Sequence, residues 1–306
     1  MIGVVVLTYR PAPGMLEGCL ASVRSHTVTP DGEPVHVMVV DNGGVCAALR
    51  AADPDAADAA DALRDVDVLA QTTNTGFAGG MNAGFRRGLE LGCRVVVILN
   101  DDATVEPGWL PPLLTELSVE GVGAVQPKLL FTGEPPVVNS LGVRLGADGA
   151  GTDIGRDQPD DGAVEPSDLH LFTGGAVAFS DAFLRATGGF DERYFMYYED
   201  VDLALRGHEL GWRYRLAPAS RVRHRGSATA STVGDVVVFH RERNRLWVLF
   251  RHRPWADVLR GVWLSVRRLR WVPRGTHAHA LLAGLSAAPR LVTTRVRGSA
   301  GPVNRL

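Results

Sequence analysis

The sequence predicts an α/β protein: a doubly wound, mostly parallel sheet with a helical extension at its C-terminal end. Three observations carry that reading. Short apolar runs alternate with helical periodicity through the first hundred residues, the pattern of repeated βαβ units. The first of these runs is continuous and β-branched rather than alternating with polar residues, as in strands covered on both faces. Beyond residue 236 the apolar residues take helical spacing, broken at Pro254.

The first strand is residues 2–7, and 15–25 form a helix with Leu16, Leu20 and Val23 on one face. A second strand at 35–40 ends in the turn signal Asp41-Asn42-Gly43-Gly44. Residues 46–65, rich in Ala and Asp, read as a helix with a solvated middle, and 66–71 as the third strand. The stretch from Asn74 to Gly84 opens a helix to about residue 91, and the fourth strand is 94–99. Residues 147–168, full of Gly, Asp and Pro, form a long loop or a floppy hairpin, a kind of segment that is often functional. Order resumes at 169–179, a helix follows at 200–210, and the tail is helical from 236. The expected division is a catalytic-type domain over 1–235, with halves at about 1–102 and 103–235, and a basic, Trp-rich extension over 236–306.

Bulk properties narrow the classes. At 306 residues with 45% hydrophobic and 22% charged residues, the chain fits a soluble globular protein with one large core. A net charge of −2 gives no overall field for a nucleic-acid partner, yet the segment after His240 is crowded with arginine, a basic surface for something anionic. Cys19, Cys46 and Cys93 show neither a disulfide framework nor metal-type spacing, which suits a reducing cytosol. No apolar run approaches the ~18–20 residues of a membrane span, so contact with the inner face of a plasma membrane would be peripheral.

Ligands of open α/β sheets bind at the carboxyl ends of the strands. There the sequence places Thr8-Tyr9-Arg10, Asp41-Asn42, Thr73-Asn74 and Asn100-Asp101-Asp102 on one rim. Two carboxylates after a strand can hold Mg²⁺ or Mn²⁺, or can cap a helix. Asp41 can accept the imino N–H of a pyrimidine, or close an Asx turn. Thr8, Tyr9 and Arg10 suit contact with a base, ribose or phosphate. The glycine-rich stretch from Asn74 has free N–H groups for an anion, or is a tight turn. Glu199, Asp200 and Asp202 begin a helix after a tyrosine-rich run; one can serve as a base, or all can cap. His224 is a third candidate metal ligand, or a surface residue. Arg241, Arg243 and Arg245 present guanidinium forks to phosphates, or a solvated face.

In order, Thr8-Tyr-Arg, Val40-Asp-Asn, Asn74-x-Gly-Phe-x-x-Gly-x-Asn82, Leu99-Asn-Asp-Asp, Phe172-x-Gly-Gly-Ala, Gly189-Phe-Asp-Glu, Tyr197-Tyr-Glu-Asp-Val-Asp-Leu and Val222-x-His-x-Gly-Ser resemble the family 2 inverting glycosyltransferases of GT-A fold, most closely the rhamnosyltransferase-like branch. The resemblance spans about residues 1–250. It implies a nucleotide-diphosphate sugar donor (dTDP- or UDP-linked), Mn²⁺ or Mg²⁺, and one inverting displacement onto a glycan, lipid-linked or small-molecule acceptor. By that resemblance Asp200 is the general base, Asp102 and His224 bind the metal, and Thr8, Tyr9, Arg10, Asp41, Asn74, Gly79 and Asp101 line the nucleotide site. Gly174, Gly175, Tyr198 and Glu199 then lie beside donor sugar and acceptor. The pattern departs at Met81-Asn82, where an Asn-Asn pair is usual, and at Tyr9-Arg10, which lacks an intervening Asn. The tail would dock on a membrane, on a second copy as a homodimer, or on its own domain. Competing functions are decoration of a small natural product, nucleotidyl transfer, for which Leu7-Thr-Tyr-Arg-Pro11 lacks the glycine-rich triphosphate loop, and a non-catalytic nucleotide-binding scaffold.

Overall fold

A computed structural model describes residues 1–51, 62–225, 234–271 and 274–298. The chain runs β1 (Ile2–Thr8), α1 (Met15–His26), β2 (Val35–Asp41), α2 (Val45–Ala51), β3 (Asp67–Ala70), α3 (Gly76–Glu90) and β4 (Val95–Asn100). It continues through β5 (Ala103–Val105), α4 (Leu110–Leu117), β6 (Val122–Phe131), β7 (Val138–Ser140), β8 (Val143–Leu145), β9 (Gly151–Asp153), β10 (Ser167–Leu169) and β11 (Ala176–Ser180). Then come α5 (Asp181–Thr187), a 3₁₀ turn (Glu192–Tyr194), α6 (Glu199–Glu209), β12 (Arg213–His224), α7 (Asp235–His252), α8 (Trp255–Arg268), α9 (Arg274–Ser286) and α10 (Ala288–Gly298).

The main sheet is ordered β10-β12-β6-β11-β4-β1-β2-β3, with β5 on β12 and β7 on β6. The four N-terminal strands are parallel to their neighbours, β6 and β12 are parallel to each other, and β11 enters antiparallel between β4 and β6. The continuous apolar run of β1 is explained by its two covered faces. Val4 and Val6 join one buried cluster with Leu16, Leu20 and Val23 of α1, while Val5 joins the other with Met81 and Phe85 of α3. Helix α3 lies unusually close to the sheet: a Cβ on Gly84 would come within 2.3 Å of Val5 Cγ1, and one on Gly80 within 2.4 Å of Leu7 Cδ1. Only glycine allows that approach.

Two open readings take definite form. The acidic stretch 147–168 begins within a hairpin, one of its two alternatives, and is anchored further on. β8 and β9 pair as a hairpin, and Asp160 is drawn inside by Lys128, 2.7 Å from its Nζ, with Arg221 3.1 Å away. The C-terminal helices also do more than append. Leu246, Trp247, Val248, Leu249 and Phe250 of α7, Val258 of α8 and Leu281 of α9 share one buried cluster with Phe85, Phe179 and Leu203 of the sheet domain. Pro254 stands at the N-cap of α8, where its fixed φ starts a new helix after α7 ends. The expected solvated middle of the helix at 46–65 lies largely outside the described residues, as do Gly226 and Ser227 of the motif around His224.

Candidate active site

Strand register builds the rim. Thr8 pairs with Asp41 on β2, Leu7 with Asn100 on β4, and Asp41 with Ala70 on β3, so the polar ends of β1, β2 and β4 sit level. At the centre the Thr8 hydroxyl donates to Asp101 Oδ2 at 2.7 Å. Burial pushes the Asp101 carboxyl up to about 6, the Thr8 hydrogen bond pulls back, and the adjacent Asp102 charge adds to the rise. Tyr9 is exposed at the edge of the rim, with the Arg10 guanidinium 5.2 Å from its ring centre.

β12 delivers His224. It pairs antiparallel with β5, setting His224 opposite Ala103, one residue past Asp102. His224 Nε2 lies 3.1 Å from Asp102 Oδ1 and 3.2 Å from Asn100 Nδ2. Its Nδ1 lies 3.2 Å from Asn139 Oδ1. The contact with the Asn139 amide fixes the ring and turns the Nε2 edge toward Asp102. The surface reading of His224 is thereby replaced: its side chain is largely enclosed.

Across the cleft, α6 starts at Tyr198, whose φ of 69° lies in the left-handed region. Asp200 receives the Gly174 N–H on Oδ2 and the Val201 N–H on Oδ1, both at 2.8 Å. Burial raises its carboxyl to about 6 against those two hydrogen bonds. Glu199 is 5% exposed, and its Oε2 has no hydrogen-bond partner among the described residues. Burial first, then the Asp200 charge, push its carboxyl well above the usual range.

Gly174 and Gly175 join the two halves. A Cβ on Gly174 would lie 3.6 Å from Asp200 Oδ2, and one on Gly175 would lie 4.0 Å from His224 Nδ1. The Gly175 carbonyl also accepts from Asn100 N at 3.2 Å. One dipeptide therefore separates the Asp200 carboxylate from the Asp102–His224 pair.

Other sequence expectations meet different partners. The Asp41 carboxylate accepts from the backbone N–H groups of Gly43, Val45 and Cys46 at 2.8–3.0 Å, capping α2; three of its roughly four lone-pair sites are taken. At the start of α3 two backbone N–H groups are taken by the chain itself. Gly76 N donates to Asn74 Oδ1 at 2.9 Å, and Ala78 N donates to the Phe195 carbonyl at 3.1 Å. Gly79 faces Thr75, whose Cβ would lie 2.9 Å from an added Cβ. Asp202 is excluded as the base: it is fully buried and bonded to Arg206, Arg251, His252 and the Tyr194 hydroxyl. The arginine forks of α7 turn inward: Arg245 is 3% exposed and holds Glu242, Ser265 and the Asp148 carbonyl, and Arg243 donates to the carbonyls of Arg193 and Tyr194. Of the three, Arg241 is the exposed one, 5.9 Å from the Tyr197 ring centre.

Sequence reasoning missed Asn139 and Asn244. Fully buried on α7, Asn244 donates through Nδ2 to the carbonyls of Tyr194, Met196 and Tyr197 at 2.7–2.9 Å. Those residues form the loop in which Phe195, Tyr197 and Tyr198 all have positive φ, just before Asp200. The Tyr198 hydroxyl accepts from Gly151 N at 3.2 Å, tying the same loop to the β8–β9 hairpin.

Comparison with known proteins gives the family. Residues 3–188 match Glycosyl transferase family 2. The chain belongs to that family. The glycosyltransferase is 27% identical over 307 aligned positions, covering 91% of each chain, to the N-acetylglucosaminyl-diphospho-decaprenol L-rhamnosyltransferase of Mycobacterium tuberculosis, in both the CDC 1551 / Oshkosh and the ATCC 25618 / H37Rv strains. Among solved structures it superposes on GalNAc-T7 with UDP, GalNAc and Mn²⁺ (TM-score 0.65, 13% identity, 97% of this chain), spanning 57% of that chain's length. It also superposes on the mannosyltransferase PcManGT of Pyrobaculum calidifontis with GDP-Man and Mn²⁺ (TM-score 0.52, 18% identity, 99% of this chain and 76% of that one). At such identities the structural matches establish the GT-A fold of the glycosyltransferase, and the expected α/β architecture with helices after the sheet is the one observed.

Proposed function

We propose that this glycosyltransferase moves a rhamnose-like deoxysugar from a dTDP- or UDP-sugar to a hydroxyl of a lipid-linked glycan acceptor in cell-wall or polysaccharide synthesis, with inversion. The observation that carries the reading is the placement of Asp200 and the Asp102–His224 pair on either side of Gly174-Gly175. The rhamnosyltransferase relative, which matches over nearly the whole chain, supports the choice of sugar and of a lipid-linked acceptor.

In this mechanism the acceptor oxygen attacks the anomeric carbon from the face opposite the nucleotide. Its bond to that carbon forms as the bond to the diphosphate oxygen breaks, and the hydroxyl proton passes to Asp200. The product is the inverted glycoside, and the nucleoside diphosphate leaves with the bonding electrons. Burial disfavours a second charge on the neighbouring Glu199. Thr8, Tyr9, Arg10, Asn74, Gly79 and Asp101 shape the nucleotide site, and Asp41 fixes its β2–α2 edge with one acceptor position to spare. Gly174, Gly175 and Tyr198 border donor sugar and acceptor.

Asp102 and His224 would hold a divalent cation, Mn²⁺ or Mg²⁺. One carboxylate and one imidazole whose ring is oriented by Asn139 suit such an ion. No cluster of three or more His, Cys, Asp or Glu ligands occurs among the described residues; two protein ligands are in keeping with ions that also take substrate phosphates and water. When bound, the cation supplies positive charge for the departing diphosphate.

A thermal-shift panel of thymidine, uridine and guanosine diphosphates, each with and without Mn²⁺, tests the site. Ligand at 100 times its dissociation constant stabilises by about 2.7 kcal/mol. Asp102→Ala is expected to remove the Mn²⁺-dependent part of that shift. A full Mn²⁺ response in the variant would displace the cation from Asp102.

A further inference from the structure

Helix α8 carries two different faces. Val258, Gly261 and Ser265 are buried against α7, where Ser265 bonds to both Arg245 and Glu242. On the other side Trp255, Leu259, Trp263 and Val266 are exposed by 54%, 70%, 55% and 50%. Their spacing of 4, 4 and 3 residues puts them in one stripe along the helix. Arg260 and Arg267 flank the stripe, and the Arg267 guanidinium sits 4.6 Å from the Trp263 ring centre. Trp271, 84% exposed, extends the apolar surface just past the helix. From Arg253 to Leu306 the sequence has ten arginines and a single acid, Asp257. That acid is held by Arg253 at 2.7 Å.

Four large apolar side chains standing in water on one helix are unfavourable unless something covers them. The charge around them selects what does. A surface bearing the exposed Arg260, Arg267 and Arg270 repels a second copy of itself, so an isologous dimer through this face would bring arginine against arginine. It matches a sheet of anionic headgroups, and tryptophans beside arginines suit the boundary between headgroups and acyl chains. No helix among the described residues is long and apolar enough to cross a membrane.

We infer that the Trp255-Leu259-Trp263-Val266 face of α8 lies in the surface of an anionic bilayer and fixes the orientation of the catalytic cleft relative to it. The link to the Asp200 side of the site runs through direct contacts. An added Cβ on Gly261 would lie 3.2 Å from the Asp148 carbonyl, Arg245 bonds to that same carbonyl, and Arg268 pairs with Asp148 Oδ2 at 3.6 Å. Asp148 lies in the turn of the β8–β9 hairpin, whose Gly151 N–H reaches the Tyr198 hydroxyl, two residues before Asp200. Docking α8 therefore sets the acceptor side of the cleft at a constant height over the headgroups. This use of the face rests on the lipid-linked acceptor proposed above; the docking itself needs no substrate.

Co-sedimentation separates the two. Wild-type protein is mixed with vesicles of phosphatidylcholine alone, or of phosphatidylcholine with phosphatidylglycerol, and compared with Leu259→Glu/Trp263→Glu and with Arg260→Glu/Arg267→Glu. These side chains are exposed, so both variants should keep the wild-type melting temperature. Binding to the anionic vesicles should exceed that to neutral ones, and each variant should lose about tenfold or more of it. Transfer to a water-soluble, short-chain acceptor should be unchanged. Wild-type protein that stays in the supernatant, or variants that sediment equally well, would overturn the inference. So would a wild-type dimer that Leu259→Glu/Trp263→Glu splits without any vesicle binding by the parent. If the wild type docks but no lipid-linked acceptor is ever glycosylated, the docking face stands and the proposed substrate falls.

Discussion

Two carboxylates of the same helical turn live in opposite worlds. Asp200 faces the cleft with backbone N–H groups as its hydrogen-bond donors, and burial lifts its carboxyl to about 6. Asp202 faces the C-terminal helices. Burial pushes it up too, but Arg251, Arg206 and His252 outweigh that and hold it well below the ordinary carboxylate range. The cleft side leaves its charge under-compensated and ready to take a proton. The flank compensates fully and becomes structure. Chain position and residue type do not distinguish them; what α7 brings to one side does.

The largest expected effect breaks the comparison on the cleft side. Asp200→Asn should lower kcat by about 10²–10⁴-fold while nucleotide binding and melting temperature stay near wild type. Equal loss of binding and turnover would make Asp200 structural. In the wild type the rate should fall about tenfold per pH unit below about 6, because the raised carboxyl must be ionised to act and regains its proton there. A profile flat to pH 5 would remove Asp200 as the base.

On the flank, Asp202→Ala should cost about 3 kcal/mol, read as a lowered urea midpoint, since it removes the buried carboxylate shared by Arg206, Arg251 and His252 and leaves Arg251 only Asp191 and His252 only Glu209. If stability barely moves, the cluster is not the anchor described here. Asn244→Ala sits between the two regions. Removing the donor to the Met196 and Tyr197 carbonyls, while Arg243 still serves that of Tyr194, should cost about 1–3 kcal/mol. It should also lower kcat more than it raises KM, because the loop aims Asp200; a loss confined to stability would make the asparagine a mere brace. The smallest effect belongs to Glu199→Gln. A neutral glutamate and a glutamine have nearly the same shape and charge, so the rate at pH 7.5 should change by less than about threefold. A collapse of activity would show that Glu199 works as an anion.

Much of the scaffold was legible because its signals are local. The apolar runs of β1 and β4 announce strands by themselves, and the acids after β4 and at the start of α6 stand where ligand sites of such sheets occur. Partners far along the chain were not legible. Asn139 reaches His224 across 85 residues, and Asn244 reaches Tyr197 across 47; in sequence each is one polar residue among many. Arg245 was read as a fork for phosphates or as part of a solvated face, yet a buried glutamate three residues earlier draws it inside. The glycines of α3 offered a phosphate-binding reading by composition, whereas contact with Leu7 and Val5 explains Gly80 and Gly84.

The left-handed backbone of Phe195, Tyr197 and Tyr198 has a consequence for how far this enzyme can be pruned. Conformations of that kind cost about 1–3 kcal/mol each for residues with a side chain, and they persist only when their surroundings impose them. Here a single amide from α7 clasps three carbonyls of the kinked segment. A chain shortened before residue 235 would retain every acid of the cleft yet let that segment relax, and the proton acceptor would swing with it. The family match ends at residue 188; the working catalyst extends at least to the helix that holds the latch.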